Sequence, residues 1–386
     1  MEKKTKILSV IWKVVLGIVT TVIAAAALVL TVTMLWSLML SDGNVGNKTS
    51  NKAVDVAIMD RYDMYMTNKI SDALDGIMAV EKVYWLSDDD LVAPEPNRDC
   101  YGSSSDPSTL GWLLEAAEEI LDGQETVFST ETELVRGTEV RYYLDETIFA
   151  VTWKQAVNDS TFTISEVKIK DASQFRRFLS GGVYGSGIHL KTTQMAASVN
   201  AVVASAGDFY GFRNFGTLVY NGEVKRVNNA IVDTCYIDDK GDLIFSYRGE
   251  YDSFESATKF VEENNIRFSV AFGPALIENG VPIQLTDYYI GEIWDQYDRS
   301  ALCQMGELHY MVVVCNQEDP HYGLPANLEE FQQRLVEFGC EMAYTLDGGQ
   351  TATIVMDDKL INRVVYNAER DITDIIYFAT AIPDGE

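Results

Sequence analysis

Residues Tyr344–Thr351 read YTLDGGQT, a largely apolar stretch that ends in an aspartate followed by two glycines. Asp-Gly after apolar residues is a common signal for a tight turn between two β-strands. Glycine-rich strand ends on a rigid sheet are also frequent positions for functional residues. The stretch therefore predicts a hairpin turn, and it raises the question of whether that turn also lines a functional site.

Three other stretches combine glycine with charged residues at predicted strand ends. They read ASAGDFYGFR at 204–213, FGPALIENG at 272–280 and DRSALCQMGELHY at 298–310. Each has an ordinary structural interpretation, since IENG is a good hairpin turn and a histidine beside a strand is more often structural than catalytic. Taken singly, each stretch predicts a turn rather than an active site.

The pattern around these stretches predicts an α+β protein. Short β-type runs (VRYYL, IFAVTW and TFTISEVKI) lie between residues 126 and 170, and more follow towards the C-terminus. Asp106-Pro107 supplies an N-cap and a first-turn proline for a helix that runs to Leu121. Helical spacing also appears in ASQFRRFL, in the residues after Ser253 and in residues 328–338. We expect a mixed β-sheet domain with flanking helices over residues 126–386, and a mainly helical N-terminal portion over residues 54–125.

The N-terminal residues predict a membrane anchor. Residues 14–40 form a run of 27 residues without a charge, and lysines precede it. A transmembrane helix needs about 20 apolar residues, and positive charge marks the cytoplasmic side. This predicts a cytoplasmic tail (1–13), a transmembrane helix (14–40) in contact with the lipid bilayer, a linker (41–53) and an extracytoplasmic remainder, which is a single-pass cell-membrane protein.

Composition disfavours nucleic acid as a partner and metal–thiolate chemistry. The net charge of −28 repels polyanions, and no basic stripe is present. The five cysteines form no CxxC pair, so we expect most of them to be small buried residues. With three histidines in all, zinc is disfavoured.

Taken together and in order, the motifs resemble those of the phosphodiester glycosidase family, which occurs in bacterial exopolysaccharide proteins and in an animal enzyme that uncovers mannose 6-phosphate. The matching segments are AGDFYGFR, FGPALIENG, RSALCQMGELHY, MVVVCNQ, TLDGGQTA and ERDITDIIYF, over about residues 190–380. Several positions depart from the family pattern. Ala206 and Thr345 replace asparagines, Cys303 and Gln350 replace glycines, and Cys315–Gln317 replace an Asp-Gly-Arg.

The resemblance implies hydrolysis of a sugar-1-phosphodiester in cell-envelope or exopolysaccharide glycans, which releases the sugar from a phosphomonoester. It suggests Asp208 and Asp347 as the carboxylates that stabilise an oxocarbenium-like centre and deliver water, with His309 and Glu307 as a proton shuttle or orienting group. The candidate groups for binding phosphate and sugar are Arg213, Arg299, Gln304, Thr345, Gly348, Gly349, Gln350 and Arg370. A carboxylate pair would also admit Ca²⁺, although the sequence identifies no metal ligand set.

Two further readings stay open at this point. The protein could be a non-catalytic glycan-binding or scaffold protein that kept the fold, as the losses at Ala206 and Gln317 favour. It could also be a transferase, in which an acceptor hydroxyl replaces water. We favour the hydrolase because the sequence retains Asp208, Arg299, His309 and Asp347.

Overall fold

The computed structural model describes residues 92–157, 160–285, 288, 293–316 and 325–381. The strands of these residues, in chain order, are β1 (Tyr101–Ser104), β2 (Val140–Leu144), β3 (Ile148–Val157), β4 (Ser160–Ile169), β5 (Phe175–Leu179), β6 (Val203–Ala206), β7 (Leu218–Tyr220), β8 (Glu223–Arg226), β9 (Thr234–Asp238), β10 (Leu243–Ser246), β11 (Ile266–Val270), β12 (Ala275–Glu278), β13 (Val281–Pro282), β14 (Arg299–Gly306), β15 (His309–Asn316), β16 (Met342–Leu346), β17 (Ile354–Met356), β18 (Lys359–Leu360) and β19 (Asp374–Phe378). The α-helices are α1 (Gly111–Leu121), α2 (Thr192–Ser198), α3 (Phe254–Glu263) and α4 (Leu328–Glu337).

The strands form a large sheet and three smaller ones. The large sheet has nine strands in the order β1-β2-β3-β4-β15-β14-β16-β12-β13. A five-stranded sheet (β18-β17-β6-β19-β5), a three-stranded sheet (β10-β9-β11) and the β7–β8 hairpin complete the set. Every strand pair in the described part of the chain is antiparallel.

The nine-stranded sheet lies between two apolar layers. One of its faces packs against α1 and α4 through residues such as Leu113 and Phe331. The other face packs against the five-stranded and three-stranded sheets, and this core includes Phe175, Leu346 and Ile376. Helix α2 covers the outer face of the five-stranded sheet. Helix α3 packs against Tyr236 of the three-stranded sheet through Phe260 and Val261. The order is therefore two helices, the large sheet, the small sheets and two more helices.

Local sequence explains where several elements begin and end. Asp106 accepts a bond from the amide of Ser108 over 3.0 Å and starts the short 3₁₀ turn Pro107–Leu110 that leads into α1. Asn327 and Glu330 form a reciprocal capping box at the start of α4. The IENG hairpin turn between β12 and β13 is confirmed, as are the helices predicted after Asp106, after Ser253 and over 328–338.

The predicted α+β class is wrong, because strands outnumber α-helices and the sheets are antiparallel rather than mixed. The predicted helix ASQFRRFL is instead a 3₁₀ turn followed by β5, whose alternate side chains Phe175, Arg177 and Leu179 are buried. Within the predicted helical portion, residues 92–125 contain one α-helix, a strand and short 3₁₀ turns. The rest of that portion, 54–91, lies outside the described residues.

The structure also bears on the predicted localisation. In the described segments of the chain, no helix is both long and apolar enough to cross a membrane. The predicted single-pass localisation and bilayer contact therefore have no support in this part of the chain. The span itself, residues 14–40, lies outside the residues that the structure describes.

Candidate functional site

Asp347 follows the last residue of β16, at the end of the large sheet where β14 begins. Ser300 pairs with Leu346, so Asp298 and Asp347 leave the sheet next to each other. The amide of Gly349 donates to the carbonyl of Asp298 over 2.7 Å. The chain then enters β17 of the five-stranded sheet. The stretch YTLDGGQT therefore connects two sheets, and the predicted hairpin turn is wrong.

The two glycines of this connection have different tasks. A Cβ at Gly348 would lie 2.4 Å from the carbonyl oxygen of Asp298, so only glycine allows the two strand ends to approach this closely. Gly349 has a φ of +61°, a conformation that favours glycine. The Gly348 amide bonds to Asp347 and the Gly349 amide bonds to Asp298, so these amides serve the turn rather than the predicted anion.

The Asp347 carboxyl combines burial with nearby positive charge. Only 9% of the residue is exposed. Burial is the largest effect and raises the pKa of Asp347 from 3.8 to about 6, while Thr351, Arg370 and Arg213 hold back that rise. A carboxyl with a pKa of about 6 changes protonation near neutral pH, as general acids and bases do.

Two exposed guanidiniums lie near this carboxyl, and aromatic rings support them. Phe209 and Phe212 stack with their centroids 4.6 Å apart. The Arg370 guanidinium lies 5.0 Å and 4.8 Å from these two rings, and the Arg213 guanidinium lies 5.1 Å from Phe209. Stacking on aromatic faces restricts a guanidinium while its N–H donors stay free to bind an anion. The structure thus brings Asp347, Arg213 and Arg370 together.

Gln350 also belongs to this region. Its Nε2 donates to the carbonyl of Ala368 over 2.7 Å, two residues before Arg370. This bond ties the turn that carries Asp347 to the segment that carries Arg370. Gln350 therefore fixes the relative position of the two segments, and its amide nitrogen already has a protein partner.

Asp208 is enclosed in a buried ion cluster and does not face the surface. Its Oδ1 lies 3.0 Å from the Arg177 guanidinium and accepts from the Tyr210 amide, and its Oδ2 accepts from the Ala271 amide over 2.8 Å. The side chains of Asp208 and Arg177 have no exposed area. Both carboxylate oxygens of Asp208 therefore have protein partners. The structure places this predicted catalytic residue in the interior rather than in an accessible site.

Asp374 completes the cluster around Arg177. Its Oδ2 accepts from the Arg177 Nε over 3.0 Å and from the Asp208 amide over 3.2 Å. Two carboxyl groups thus share one guanidinium in a buried place. Burial and the charge of Asp208 raise the pKa of Asp374, although Arg177 opposes the rise. This cluster fixes the start of the segment that carries Phe209 and Arg213.

Arg226, on β8, fixes the remainder of that segment. Its guanidinium donates to the carbonyls of Tyr210 and Arg213, both over 3.0 Å, and to those of Phe215 and Gly216. Four carbonyls without regular sheet partners are thus held by one buried side chain. Sequence reasoning missed Arg177 and Arg226. Reading FRRFL as a strand would have placed Arg177 on the same inward face as Phe175 and Leu179, which requires a charged partner.

Three predicted site residues lie at the opposite end of the β14–β15 hairpin. Gly306 pairs with His309 there, whereas Arg299 pairs with Cys315 near Asp347. At about 3.3 Å per residue, the seven positions from Arg299 to Gly306 span roughly 23 Å. The structure therefore does not bring Gln304, Glu307 or His309 to Asp347.

Each of these three residues has a local structural role. The imidazole of His309 lies between Glu166, at 2.9 Å, and Gln124, at 3.1 Å. Gln304 accepts from the Leu243 amide over 2.9 Å. Glu307 and His309 line a separate cavity of about 700 Å³ at that end of the sheet. Their predicted part in catalysis is not supported by these positions.

Two further predicted site residues are close to Asp347 but lie on the face of the large sheet that α1 and α4 cover. Thr345 is two residues before Asp347, and Arg299 is next to it in the register of β14 and β16. Thr345 pairs with Ala301, whose side chain belongs to the core beneath α1 and α4. Arg299 is two residues from Ala301 and so shares its face. The Arg299 guanidinium donates to the carbonyl of Asp295 over 2.8 Å and lies 5.6 Å from the Tyr297 ring. Both side chains are buried.

The donor set near Asp347 does not fit the predicted Ca²⁺. Calcium takes six to eight oxygen ligands and usually several carboxylates. Asp208 is occupied by Arg177 and two amides, while Asp347 faces the cations Arg213 and Arg370. Among the described residues, no group of three or more His, Cys, Asp or Glu side chains is arranged to hold a metal ion. No step below involves a metal.

The arrangement is suited to binding an anion beside an ionisable carboxyl. Arg213 and Arg370 supply positive charge on a chain whose net charge is −28. Asp347 can take a proton from water, or face a developing positive charge, within reach of those guanidiniums. A phosphodiester attached to a sugar presents both features, namely an anion and a carbon that becomes cationic when its bond to oxygen breaks.

Comparisons with known proteins give a family match over part of the chain. Residues 198–379 match the model of the phosphodiester glycosidase family. No curated protein matches. A hypothetical protein from Synechocystis, of known structure, has 13% identity and a TM-score of 0.50, over 64% of this chain and 64% of that protein.

A second similar structure is the zebrafish N-acetylglucosamine-1-phosphodiester α-N-acetylglucosaminidase catalytic domain, auto-inhibited by its pro-peptide. It has 15% identity and a TM-score of 0.49, over 68% of this chain and 92% of that one. The matched segment contains Asp208, Arg213, Asp347 and Arg370, whereas Arg177 precedes it. As the order of the motifs predicted, residues 198–379 of this chain match the phosphodiester glycosidase family.

Proposed function

We propose that this protein hydrolyses sugar-1-phosphodiester linkages in glycans, such as those of a cell envelope or an exopolysaccharide. The observation that carries the proposal is the Asp347 carboxyl, buried and with its pKa raised to about 6, beside two exposed guanidiniums. The family of residues 198–379 supports the reaction class. The sugar-1-phosphodiester substrate follows from the resemblance and from the charges near Asp347.

The chemistry assigns a task to each of these groups. Arg213 and Arg370 bind the phosphodiester anion and stabilise it as it leaves. The bond between the anomeric carbon and the bridging oxygen breaks, and the phosphomonoester departs with the bonding electrons. A phosphate leaving group is a weak base and needs no proton at neutral pH. Asp347 accepts a proton from the water whose oxygen bonds to the anomeric carbon.

The departures from the family pattern bear less on the site than the sequence suggested. Ala206 is buried in the core beneath α2, so its side chain points away from Asp347. Asn316 is also buried, and it donates to the carbonyl of Arg363. The second candidate, a glycan-binding protein without catalysis, is favoured by the enclosed position of Asp208, which leaves Asp347 without a carboxylate partner from that segment.

Sugar release from a panel of sugar-1-phosphodiesters tests the proposal with the full chain. Asp347→Asn keeps the shape of the side chain and removes its basicity, so we expect at least a hundredfold loss of kcat, which is about 3 kcal/mol of transition-state stabilisation. Lys225→Met, a change at a half-buried lysine of β8 that pairs with Glu223, is the control and should retain the parent's rate. Binding of the diesters without any release by the parent would instead identify a binding protein.

A further inference from the structure

Exposed aromatic side chains surround the Asp347 region, and the proposed reaction gives them no task. We call Tyr184, Phe212, Tyr297 and Tyr366 the aromatic rim. Their exposed fractions are 38%, 43%, 47% and 85%, respectively. Exposed aromatic groups in one region of a protein commonly mark a binding surface.

Ring contacts or positions in the chain connect each rim residue to the segments that form the site. Phe212 stacks on Phe209 beside Arg370. The Tyr184 ring lies 5.6 Å from the ring of Tyr210, which is adjacent to Phe209 in the chain. These two rim residues therefore belong to the side of the site formed by residues 207–213.

The other two rim residues belong to the other segments of the site. Tyr297 immediately precedes Asp298, whose carbonyl accepts from the Gly349 amide. Tyr366 lies two residues before Ala368, whose carbonyl accepts from Gln350. The rim thus takes one residue or more from each of the segments that meet at Asp347.

Tyr366 is held in an unfavourable conformation without a packing reason. Its φ is +62°, a left-handed conformation that costs about 1 kcal/mol for a residue with a Cβ. With 85% of the side chain exposed, burial does not offset this cost. Strained residues of this kind collect at binding and catalytic sites. The strain and the exposure together point to a ligand that covers the Tyr366 ring.

We infer that the aromatic rim binds the sugar rings of an extended glycan chain on either side of the linkage at Asp347, so that the substrate is a sugar-phosphate polymer rather than a small diester. This inference rests on the proposed function and specifies its substrate class. The C–H faces of sugar rings pack on aromatic rings, whose polar edges stay in water. The exposed cations Arg213 and Arg370 adjoin the rim ring of Phe212 or its partner Phe209.

Charge favours this occupant over others. A chain of sugars joined through phosphodiesters alternates apolar ring faces with single negative charges, and the site alternates aromatic rings with guanidiniums. An uncharged polysaccharide would leave Arg213 and Arg370 without anionic partners.

The experiment measures affinity against chain length. The full chain carrying Asp347→Asn, which prevents turnover, is titrated with synthetic oligomers of two, four and six sugars joined through 1-phosphodiesters. One series contains mannose and the other N-acetylglucosamine. We expect the Kd to fall about tenfold from two to six sugars in one series at least, since each tenfold step needs only about 1.4 kcal/mol of added contact.

Rim variants show whether the added affinity comes from the aromatic residues. Tyr366→Asn suits the left-handed backbone because asparagine tolerates positive φ, so the fold is retained. Tyr366→Asn and Phe212→Ser should remove most of the dependence on length. Trp112→Ser should not, because Trp112 is an exposed aromatic residue that packs on Tyr142 of the edge-side strand β2.

The outcomes separate this inference from the proposed function. Equal affinity at all lengths in both series, or a length dependence that survives both rim variants, overturns the inference. If the parent hydrolyses a small diester but its affinity does not depend on oligomer length, the proposed hydrolase activity is supported and the role of the aromatic rim is rejected. A length dependence that the rim variants abolish supports the inference even if the parent releases no sugar.

Discussion

At the scale of single residues, the raised pKa of Asp347 predicts how activity depends on pH. The carboxylate form accepts the proton from water, so kcat/KM should rise with pH and level off above about 6. Arg370 lowers the pKa of Asp347, so Arg370→Gln should move the midpoint of that rise to higher pH. Rates of sugar release by the parent and by Arg370→Gln, measured from pH 4.5 to 8.5, test this. An unchanged midpoint would contradict the interaction between Arg370 and Asp347.

The same carboxyl predicts a cost in stability. The folded protein keeps the proton on Asp347 up to a pH of about 6, while the unfolded chain releases it near 3.8. The stabilising effect of the bound proton is therefore complete below pH 3.8 and lost as the pH rises through 6. The asparagine of Asp347→Asn does not ionise, so the variant does not lose this stability. At pH 7 its free energy of unfolding should exceed that of the parent by up to about 3 kcal/mol.

Denaturant unfolding of the parent and the Asp347→Asn variant at pH 4 and at pH 7 measures this difference. We expect the difference to be close to zero at pH 4 and to favour the variant at pH 7. A variant that is less stable than the parent at both values would show that the carboxylate is stabilising, which the direction of its pKa excludes. More stability with less activity is the usual signature of a functional residue.

At the scale of elements, Arg226 determines the conformation of the segment that follows Asp208. Arg226→Met keeps the apolar stem and removes the donors to four carbonyls. We expect a loss of about 1–3 kcal/mol in the free energy of unfolding and a rise in KM, because Arg213 no longer has a fixed position. Lys225→Met, on the same strand but with an ammonium that pairs only with Glu223 in the described contacts, should change neither quantity. A stability loss with KM unchanged would separate Arg226 from the site.

The elements also show what the sequence could reveal. Short β-type runs correctly predicted β2, β3 and β4, and the helix cap at Asp106 marked a real helix start. FRRFL was misread because adjacent arginines do not look like a buried strand, although the carboxylates of Asp208 and Asp374 balance Arg177. The register of the large sheet depends on contacts distant in sequence, so no local pattern could show that His309 and Asp347 lie at opposite ends.

At the scale of the whole molecule, the family segment depends on strands that precede it. β15 pairs along its whole length with β4, and all eight of its residues are buried. Arg177, the guanidinium between Asp208 and Asp374, comes from β5. Both strands lie before residue 198, where the family match begins. In this chain, the segment that matches the family therefore depends on residues outside it for strand pairing and for a buried counter-charge.

This dependence predicts that residues 187–386 do not fold alone, even though they contain the entire family match. Without β1–β5, strand β15 becomes an apolar sheet edge, and the buried carboxylates of Asp208 and Asp374 lose Arg177. Residues 92–386 keep both features. Thermal unfolding followed by circular dichroism should give one cooperative transition for residues 92–386 and none for residues 187–386. A cooperative transition in the shorter fragment would mean that the small sheets and β12–β16 form a core of their own, and that Arg177 is dispensable for the site.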